Sequence, residues 1–170
     1  MTPSLGGRDV LASGPRLPPK ALAGTTMRNP VVENLPPMVA RVDVCSLSDV
    51  LTARQKGRDL ARVLGFSATD QTMIVTAISE LARNIVRYAG YGELQLSVQR
   101  NQSLSALVVI ASDKGPGIPN VSKAMQDGFS TSGNLGLGLP GVKRLMDDFQ
   151  IESTVDKGTV VTAKKWRRTG

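Results

Sequence analysis

The sequence predicts an α+β fold, a two-layer sandwich in which helices cover one face of a mixed, mostly antiparallel sheet. Apolar residues recur with helical spacing in two long segments between residues 48 and 90. Short runs of alternating or continuous apolar character, typical of strands, lie near residues 40–44, 94–98, 106–111, 150–155 and 159–166. Short polar connections at 101–103 and 156–158 favour hairpins. Together these patterns predict the sandwich.

The first strand is predicted from the alternation of Ala40, Val42 and Val44. A first helix should then begin at Ser48–Asp49 and stop at Gly65. A second helix, capped by Thr69–Asp70 and ending near residues 88–90, has the clearer pattern. Its apolar residues follow the three-to-four spacing of a buried helix face: Met73, Ile74, Ala77, Ile78, Leu81, Ala82 and Ile85.

The second half of the chain contains a segment rich in glycine and serine, residues 113–139, interrupted only by a short helical stretch from Val121 to Asp127. A further helix is predicted from Pro140, since proline suits the first turn of a helix. Its apolar side would comprise Val142, Leu145, Met146 and Phe149. The two last strands then form a hairpin.

Proline and glycine divide the chain into two parts. Seven of the ten prolines fall within the first 37 residues, where no helical or strand period is kept. Residues 1–37 are therefore predicted to be a flexible leader, and residues 38–168 an ordered domain. A length of 170 residues suits one such domain.

Composition excludes several kinds of function. The chain has no histidine, which removes a histidine base, a Ser-His-Asp triad and a histidine-ligated metal. No apolar stretch is long enough to span a membrane, and the single cysteine, Cys45, fits a reducing cytoplasm. The net charge of +7 attracts polyanions, but an aromatic content of 4% offers few platforms for nucleic-acid bases. We therefore expect a cytoplasmic protein that binds neither nucleic acid nor membrane.

Three motifs carry candidate chemistry, and each alone also fits an ordinary structural role. Glu80 and Asn84 lie four residues apart on one helix face and offer oxygens of the kind that Mg²⁺ prefers, but a solvated face looks the same. Asp113 ends a buried strand and precedes alternating glycines, a pattern that fits either a purine pocket or a plain turn. Glycines from 133 to 141 precede a helix start, where backbone N–H groups favour an anion.

In this order, the motifs resemble those of a known superfamily. The segments SELARNIVRYAG, SDKGPGI, GNLGLGLPGVKRLMDD and KGT resemble the four nucleotide-binding boxes of the GHKL ATPases and kinases. The longer segments DGFSTSGNLGLGLPGVKRLMD and GTVVTAKKW look like the RsbT-like switch serine/threonine kinases of bacterial partner switching. The resemblance covers about residues 38–168 and implies a Bergerat-type ATP-binding fold. No histidine-bearing dimerisation helix accompanies it, so the phosphate acceptor should be another protein.

The resemblance also implies roles for individual residues. Asn84 would hold the Mg²⁺ that bridges the ATP phosphates, Glu80 would be the general base, and Asp113 would accept from the adenine amine. The other residues implied to bind the nucleotide are Gly115, Gly117 and Ile118 near adenine, Thr159 through water, and Gly136, Leu137 and Gly138 along the phosphates. Residues from about 119 to 134 would form a lid. Arg83 and Arg87 are expected near the phosphates, although Arg87 fits a solvated face equally well.

The implied activity is Mg-ATP-dependent phosphorylation of a serine or threonine on STAS-domain antagonists of the RsbS and RsbR type, assembled in a stressosome. Once released, the kinase would bind and activate a PP2C-type phosphatase of the RsbU type. Two alternatives stay open: an anti-sigma kinase that binds a sigma factor directly, and a non-catalytic switch in which ATP only shapes a binding surface.

Overall fold

The computed structural model describes residues 38–101, 103–126 and 137–168, so the predicted leader lies outside the described residues. Its strands are β1 Met38–Val44, β2 Gly92–Arg100, β3 Leu104–Asp113, β4 Asp148–Thr154 and β5 Gly158–Arg168. Its helices are α1 Leu47–Val63, α2 Ala68–Asn84, α3 Val121–Ala124 and α4 Gly138–Leu145, and a π-helical turn, Ile85–Ala89, continues α2. The predicted α+β class is confirmed.

The five strands form one sheet in the order β1-β2-β3-β5-β4. Every pairing in it is antiparallel, whereas the sequence analysis expected a mixed sheet. The reason is that β5 returns as the hairpin partner of β4 and inserts between β4 and β3, so it runs opposite to both. This arrangement places the end of β3 beside the start of β5, with Asp113 opposite Thr159.

The main core lies between one face of the sheet and the helices. Alternate strand residues such as Leu94, Leu96 and Val109 are fully buried there, as the period of two requires. Helix α2 supplies Ile74 and Ile78 to the same core and packs against both α1 and α4. Almost all of its predicted apolar stripe is buried, with Met73 the exception, being only half-buried. The helix that carries Glu80 and Asn84 is thus fixed at the centre of its layer.

The helix starts differ slightly from the predictions. Helix α1 is capped by Ser46 rather than Ser48, because the Ser46 side chain accepts from the backbone N–H of Asp49 and Asp49 reaches back to the cap, forming a capping box. Helix α2 is likewise capped by Ser67, whose hydroxyl accepts from the N–H of Asp70. In both cases a serine three residues before an aspartate marks the start.

The last helix and the hairpin also shift. Helix α4 begins at Gly138, two residues before Pro140, and ends at Leu145 because Met146 is extended. Phe149, predicted on the apolar side of that helix, instead lies in β4 opposite Ala163 and still packs on the core. Helix α3 is shorter than predicted, and Asp127 lies outside the described residues.

Among the residues that the structure describes, no helix combines the length and apolar character needed to cross a membrane.

Candidate active site

A cavity of about 1040 Å³ opens where β3 ends and β5 begins. Its wall is completed by the second half of α2, the π-helical turn and the first residues of α4. The residues predicted from the sequence that line it are Glu80, Arg83, Asn84, Arg87, Asp113, Gly117, Ile118, Gly138 and Thr159. Gly115 and Leu137 are not part of the lining, and Gly136 lies outside the described residues together with residues 127–134 of the predicted lid. The volume is that of a pocket for a molecule of nucleotide size.

Asp113 is the last residue of β3 and is paired on both sides, with Gly92 of β2 and Thr159 of β5. Its carboxylate oxygen Oδ1 accepts from the backbone N–H of Gly115 at 2.8 Å. No hydrogen bond to Oδ2 is found among the described residues. The backbone thus fixes one oxygen of the carboxylate, which leaves the other to accept from a ligand.

The two predicted glycines of this loop have a structural reason that the sequence did not give. In the sequence analysis these glycines fitted either a purine pocket or a plain turn. A Cβ at Gly115 would instead lie 2.7 Å from the Cβ of Ala89 in the π-helical turn. Gly117 has a φ of +70°, and a Cβ there would overlap the carbonyl oxygen of Thr154. Both glycines therefore let the loop pack against protein.

Thr159 belongs to a small hydrogen-bond network centred on Ser153 of β4. The two hydroxyls lie 2.8 Å apart, and Ser153 Oγ also accepts from the backbone N–H of Ile118 at 2.9 Å. The same hydroxyl donates to the carbonyl of Gly158 at 3.1 Å. Ser153 thus ties the loop after β3 to the β4–β5 hairpin. The sequence analysis missed it, since only the strand register places it opposite Thr159.

The other side of the cavity carries Glu80 and Asn84 of α2, which share a face as their spacing predicted. The Glu80 side chain is 10% exposed. Its Oε1 accepts from Arg83 Nη1 at 2.8 Å, and its Oε2 accepts from the backbone N–H of Gly138 at 3.3 Å. One carboxylate therefore links the end of α2 to the beginning of α4.

The π-helical turn, Ile85–Ala89, follows Asn84 directly and is capped at its C-terminus by Gly90, whose φ is +74°. Such turns concentrate at functional sites because they displace side chains from the ordinary helical positions. Here the turn brings Arg87 and Tyr88 to the cavity wall, with the Arg87 guanidinium 5.5 Å from the centre of the Tyr88 ring. Nothing in the sequence pattern distinguished this turn from a continuing α-helix.

The charged residues of the described lining favour an anionic ligand. Three are cations, Arg83, Arg87 and Lys123, and two are carboxylates, Glu80 and Asp113. The N-terminus of α4, an eight-residue helix, adds backbone donors at Gly138. A polyphosphate would therefore meet positive charge in this cavity, which also contains Asp113 as an acceptor for a nucleotide base.

The described residues contain no cluster of three or more His, Cys, Asp or Glu side chains that could cage a metal. Asn84, whose side-chain amide carries one oxygen, lines the cavity together with Glu80. This fits Mg²⁺, which is commonly bound through one or two protein oxygens together with phosphates and waters. A metal that arrives on a nucleotide is therefore compatible with these residues.

Comparison with known proteins identifies a family and several relatives of this chain. Residues 46–165 match the family described as the histidine kinase-like ATPase domain. The serine/threonine-protein kinase RsbT of Bacillus subtilis is 54% identical over 120 residues, which cover 71% of this chain and 90% of that protein. An anti-sigma F factor of Geobacillus stearothermophilus is 32% identical over 130 residues, covering 67% of this chain and 87% of the factor.

A crystal structure of RsbU and RsbW domains from Mycobacterium tuberculosis shares the fold, with a TM-score of 0.50 at 18% identity. The similarity covers 76% of this chain and 32% of that longer one. The family match spans well over half of the chain, and the RsbT relative is similar along nearly its whole length. The chain therefore belongs to the histidine kinase-like ATPase family, and it is a serine/threonine-protein kinase of the RsbT type.

Proposed function

We propose that this kinase binds Mg-ATP in the cavity and transfers the γ-phosphate to a serine or threonine of a STAS-domain partner. The observation that carries the proposal is the position of three side chains. Two of them, Glu80 and Asn84, lie on α2, and the third, Asp113, ends β3 in a separate part of the chain. All three line one cavity. A carboxylate for the base of the nucleotide thus lies in the same pocket as an amide for the metal.

At the adenine end, Asp113 Oδ2 accepts from the 6-amino group while Oδ1 stays on the Gly115 N–H. The orientation of the carboxylate is therefore set before the nucleotide binds, which reduces the ordering cost of recognition. Ser153 and Thr159 support the same end by holding the loop after β3 on the β4–β5 hairpin. Apolar residues such as Ile118 and Val161 complete the wall.

At the phosphate end, Asn84 would hold Mg²⁺ through its amide oxygen. When bound, the metal supplies positive charge against the phosphates and helps to orient them. The chain itself contributes the cations Arg87 and Lys123 and the N–H of Gly138. Because phosphoryl transfer depends mainly on positioning and on charge stabilisation, these groups supply much of what the reaction asks of a protein.

In the transfer step the acceptor hydroxyl oxygen forms a bond to the γ-phosphorus, and the bond from that phosphorus to the bridging oxygen breaks to leave ADP. Glu80 accepts the hydroxyl proton. Its carboxylate lies in the cavity wall and is oriented by contacts on two sides, as a positioned base requires. Nucleotide binding alone depends more on Asn84 and Asp113 than on a base, so Glu80 argues against a pure nucleotide switch.

The proposed acceptors are STAS-domain proteins of the RsbS and RsbR type, and the proposed later target is a PP2C-type phosphatase of the RsbU type. Support comes from the RsbT relative at 54% identity. A phosphate adds a charge of about −1.5 to −2 to the partner, which would weaken its contact with the kinase and release it. We place this reaction in the cytoplasm.

Transfer of labelled phosphate from ATP to the STAS proteins encoded beside this kinase tests the proposal, with mass spectrometry to locate the phosphate. Glu80→Gln should lower the rate about 10²- to 10⁴-fold, the range that general-base catalysis supplies, with ATP affinity nearly unchanged. Unchanged transfer by Glu80→Gln would overturn the role of the base. Lack of any transfer by the wild type would overturn the choice of partner.

A second candidate function is direct control of a sigma factor. It is favoured by the similarity to anti-sigma F factors, of which the Geobacillus protein is 32% identical. Parallel pull-downs with a STAS protein and with a sigma factor separate the two. Retention of the sigma factor alone would support this candidate and exclude the first.

A further inference from the structure

The contacts of Glu80 lead to an inference about its neighbour on α2. We infer that Arg83 is a positioning residue, which holds the Glu80 carboxylate in its working orientation when nucleotide occupies the cavity. The inference rests on the proposed role of Glu80 as the base and adds a residue to that role. It starts from two hydrogen bonds that the carboxylate makes within the described residues, which differ in kind and in length.

The first contact is an ion pair within one helix. Arg83 lies three residues after Glu80, one turn along α2, and its Nη1 is 2.8 Å from Oε1. Both residues belong to α2, so the helix backbone holds the two side chains one turn apart, with the carboxylate enclosed and the arginine side chain half-exposed. A hydrogen bond in which both groups are charged is also stronger than one between neutral groups.

The second contact crosses to another element and is longer. Oε2 accepts from the N–H of Gly138 at the start of α4, over 3.3 Å. That N–H lies at a helix N-terminus facing the cavity, where an anionic phosphate group is favoured as well. A triphosphate at this end would compete with Glu80 for the same donor.

Loss of the Gly138 contact would free Oε2, the oxygen that could then accept the proton of the acceptor hydroxyl. Oε1 would keep its contact with Arg83. A carboxylate as enclosed as this one, at 10% exposure, needs such a partner, because an unpaired buried charge is costly and its side chain would turn toward other donors. Arg83 would therefore decide whether the base stays aimed at the reacting atoms.

A rival role for Arg83 is direct contact with the phosphates, since it also lines the cavity and its side chain is 52% exposed. An arginine has five donors, and the pairing with Glu80 leaves several unused. The two roles differ in what they affect. Contact with phosphate contributes to ATP affinity, whereas positioning of the base contributes to the rate at saturating ATP.

The test compares Arg83→Met and Arg83→Lys with the wild type, alone and in a Glu80→Gln background. The control is Arg62→Met, since Arg62 also pairs with an acid three residues before it, Asp59 at 3.3 Å, on the exposed side of α1. We expect Arg83→Met to lower kcat about a hundredfold, the effect of a small misplacement of a reacting group, with little change in the Kd for ATP. Arg83→Lys should recover part of the rate, and Arg62→Met should behave as wild type.

The double variant distinguishes positioning from other effects. If Arg83 acts through Glu80, Arg83→Met should cause no further loss once Glu80 is glutamine. A further loss of the same size in that background, or weakened ATP binding with an unchanged kcat, would overturn the inference. If Glu80→Gln transfers phosphate at the full rate, the role of Glu80 as the base is overturned. If Glu80→Gln loses transfer while Arg83→Met stays fully active, only the role of Arg83 is overturned.

Discussion

Replacing Asp113 with asparagine should remove adenine recognition while keeping the shape of the site. The structure indicates how the new amide would orient. Its oxygen can keep the hydrogen bond from the Gly115 N–H, now made to Oδ1 at 2.8 Å. The amide nitrogen would then occupy the position of Oδ2. Its N–H donor would face the 6-amino group of adenine, which is also a donor, so no hydrogen bond could form between them.

The expected loss of affinity has two parts. A hydrogen bond to a charged group contributes about 1.5 to 3 kcal/mol, and opposing donors that lack acceptors cost about 1 to 3 kcal/mol more. The two parts sum to about 2.5 to 6 kcal/mol, which corresponds to ATP binding weakened by at least about sixtyfold, at 1.4 kcal/mol for each factor of ten. The fold should be affected little, because the bond to Gly115 is kept.

Calorimetric titration with ATP and with inosine triphosphate measures this effect. Inosine carries a carbonyl at position 6, which could accept from the amide of Asp113→Asn, so we expect the preference between the two nucleotides to invert. Thermal unfolding without nucleotide serves as the control for the fold. If Asp113→Asn binds ATP about as well as the wild type, Asp113 does not contact the adenine amine and the reasoning fails.

Three further predictions concern the cap of α1 and the glycines of the site. Hydrogen bonds, first from the Ser46 side chain, lower the pKa of Asp49 from 3.8 to about 2. Asp49→Asn should therefore be less stable than the wild type above pH 4, and the difference in melting temperature should vanish as the pH falls through 2. A difference that persists below pH 2 would contradict this account. The hydrogen bond to Asp49 and the negative charge of Asp49 raise the pKa of the Cys45 thiol. Asp49→Asn should therefore speed the alkylation of Cys45 by iodoacetamide at pH 8, measured by mass spectrometry. An unchanged rate would count against this contact. Gly117→Ala should lower the free energy of unfolding in urea by more than about 2 kcal/mol, from left-handed strain and overlap with a β4 carbonyl. Gly90 has a similar φ but open space around it, so Gly90→Ala should lose only the free energy that left-handed strain costs. Equal losses of unfolding free energy in the two variants would exclude the overlap at Gly117.

The arrangement of the layers could be predicted because it depends on local periodicity. The three-to-four spacing of apolar residues from Ile74 to Ile85 specifies one buried face, and a four-residue interval then puts Glu80 and Asn84 on another. The continuous apolar run that precedes Asp113 likewise marks a central strand. These features follow from neighbours in the sequence, so the sequence alone was enough.

The features that were missed depend on contacts between distant segments. Ser153 is 35 residues from Ile118, and only the register of β4 against β5 brings its hydroxyl to that loop. Whether β4 or β5 pairs with β3 decides whether the sheet is mixed or wholly antiparallel, and no local pattern encodes that choice. Phe149 was assigned to a helix because it is apolar at helical spacing from Leu145, whereas pairing with Ala163 draws it into the sheet.

The two ends of the cavity differ in how far they are organised without nucleotide. At the proposed adenine end, the Asp113 carboxylate is fixed by the N–H of Gly115 in its own loop. That loop is held in turn by a hydrogen bond from the backbone N–H of Asp156 to the carbonyl of Pro116, at 2.9 Å. At the described part of the phosphate end, the N–H of Gly138 is engaged by Glu80 instead of a phosphate. In the proposed binding mode, recognition of adenine therefore requires little rearrangement, whereas full engagement of the phosphates requires Glu80 to give up the Gly138 N–H. The Glu80 carboxylate is also the proposed general base. A phosphate that takes the N–H of Gly138 would therefore free the carboxylate at the same time. Only a nucleotide whose phosphates reach α4 would then make the kinase ready for transfer.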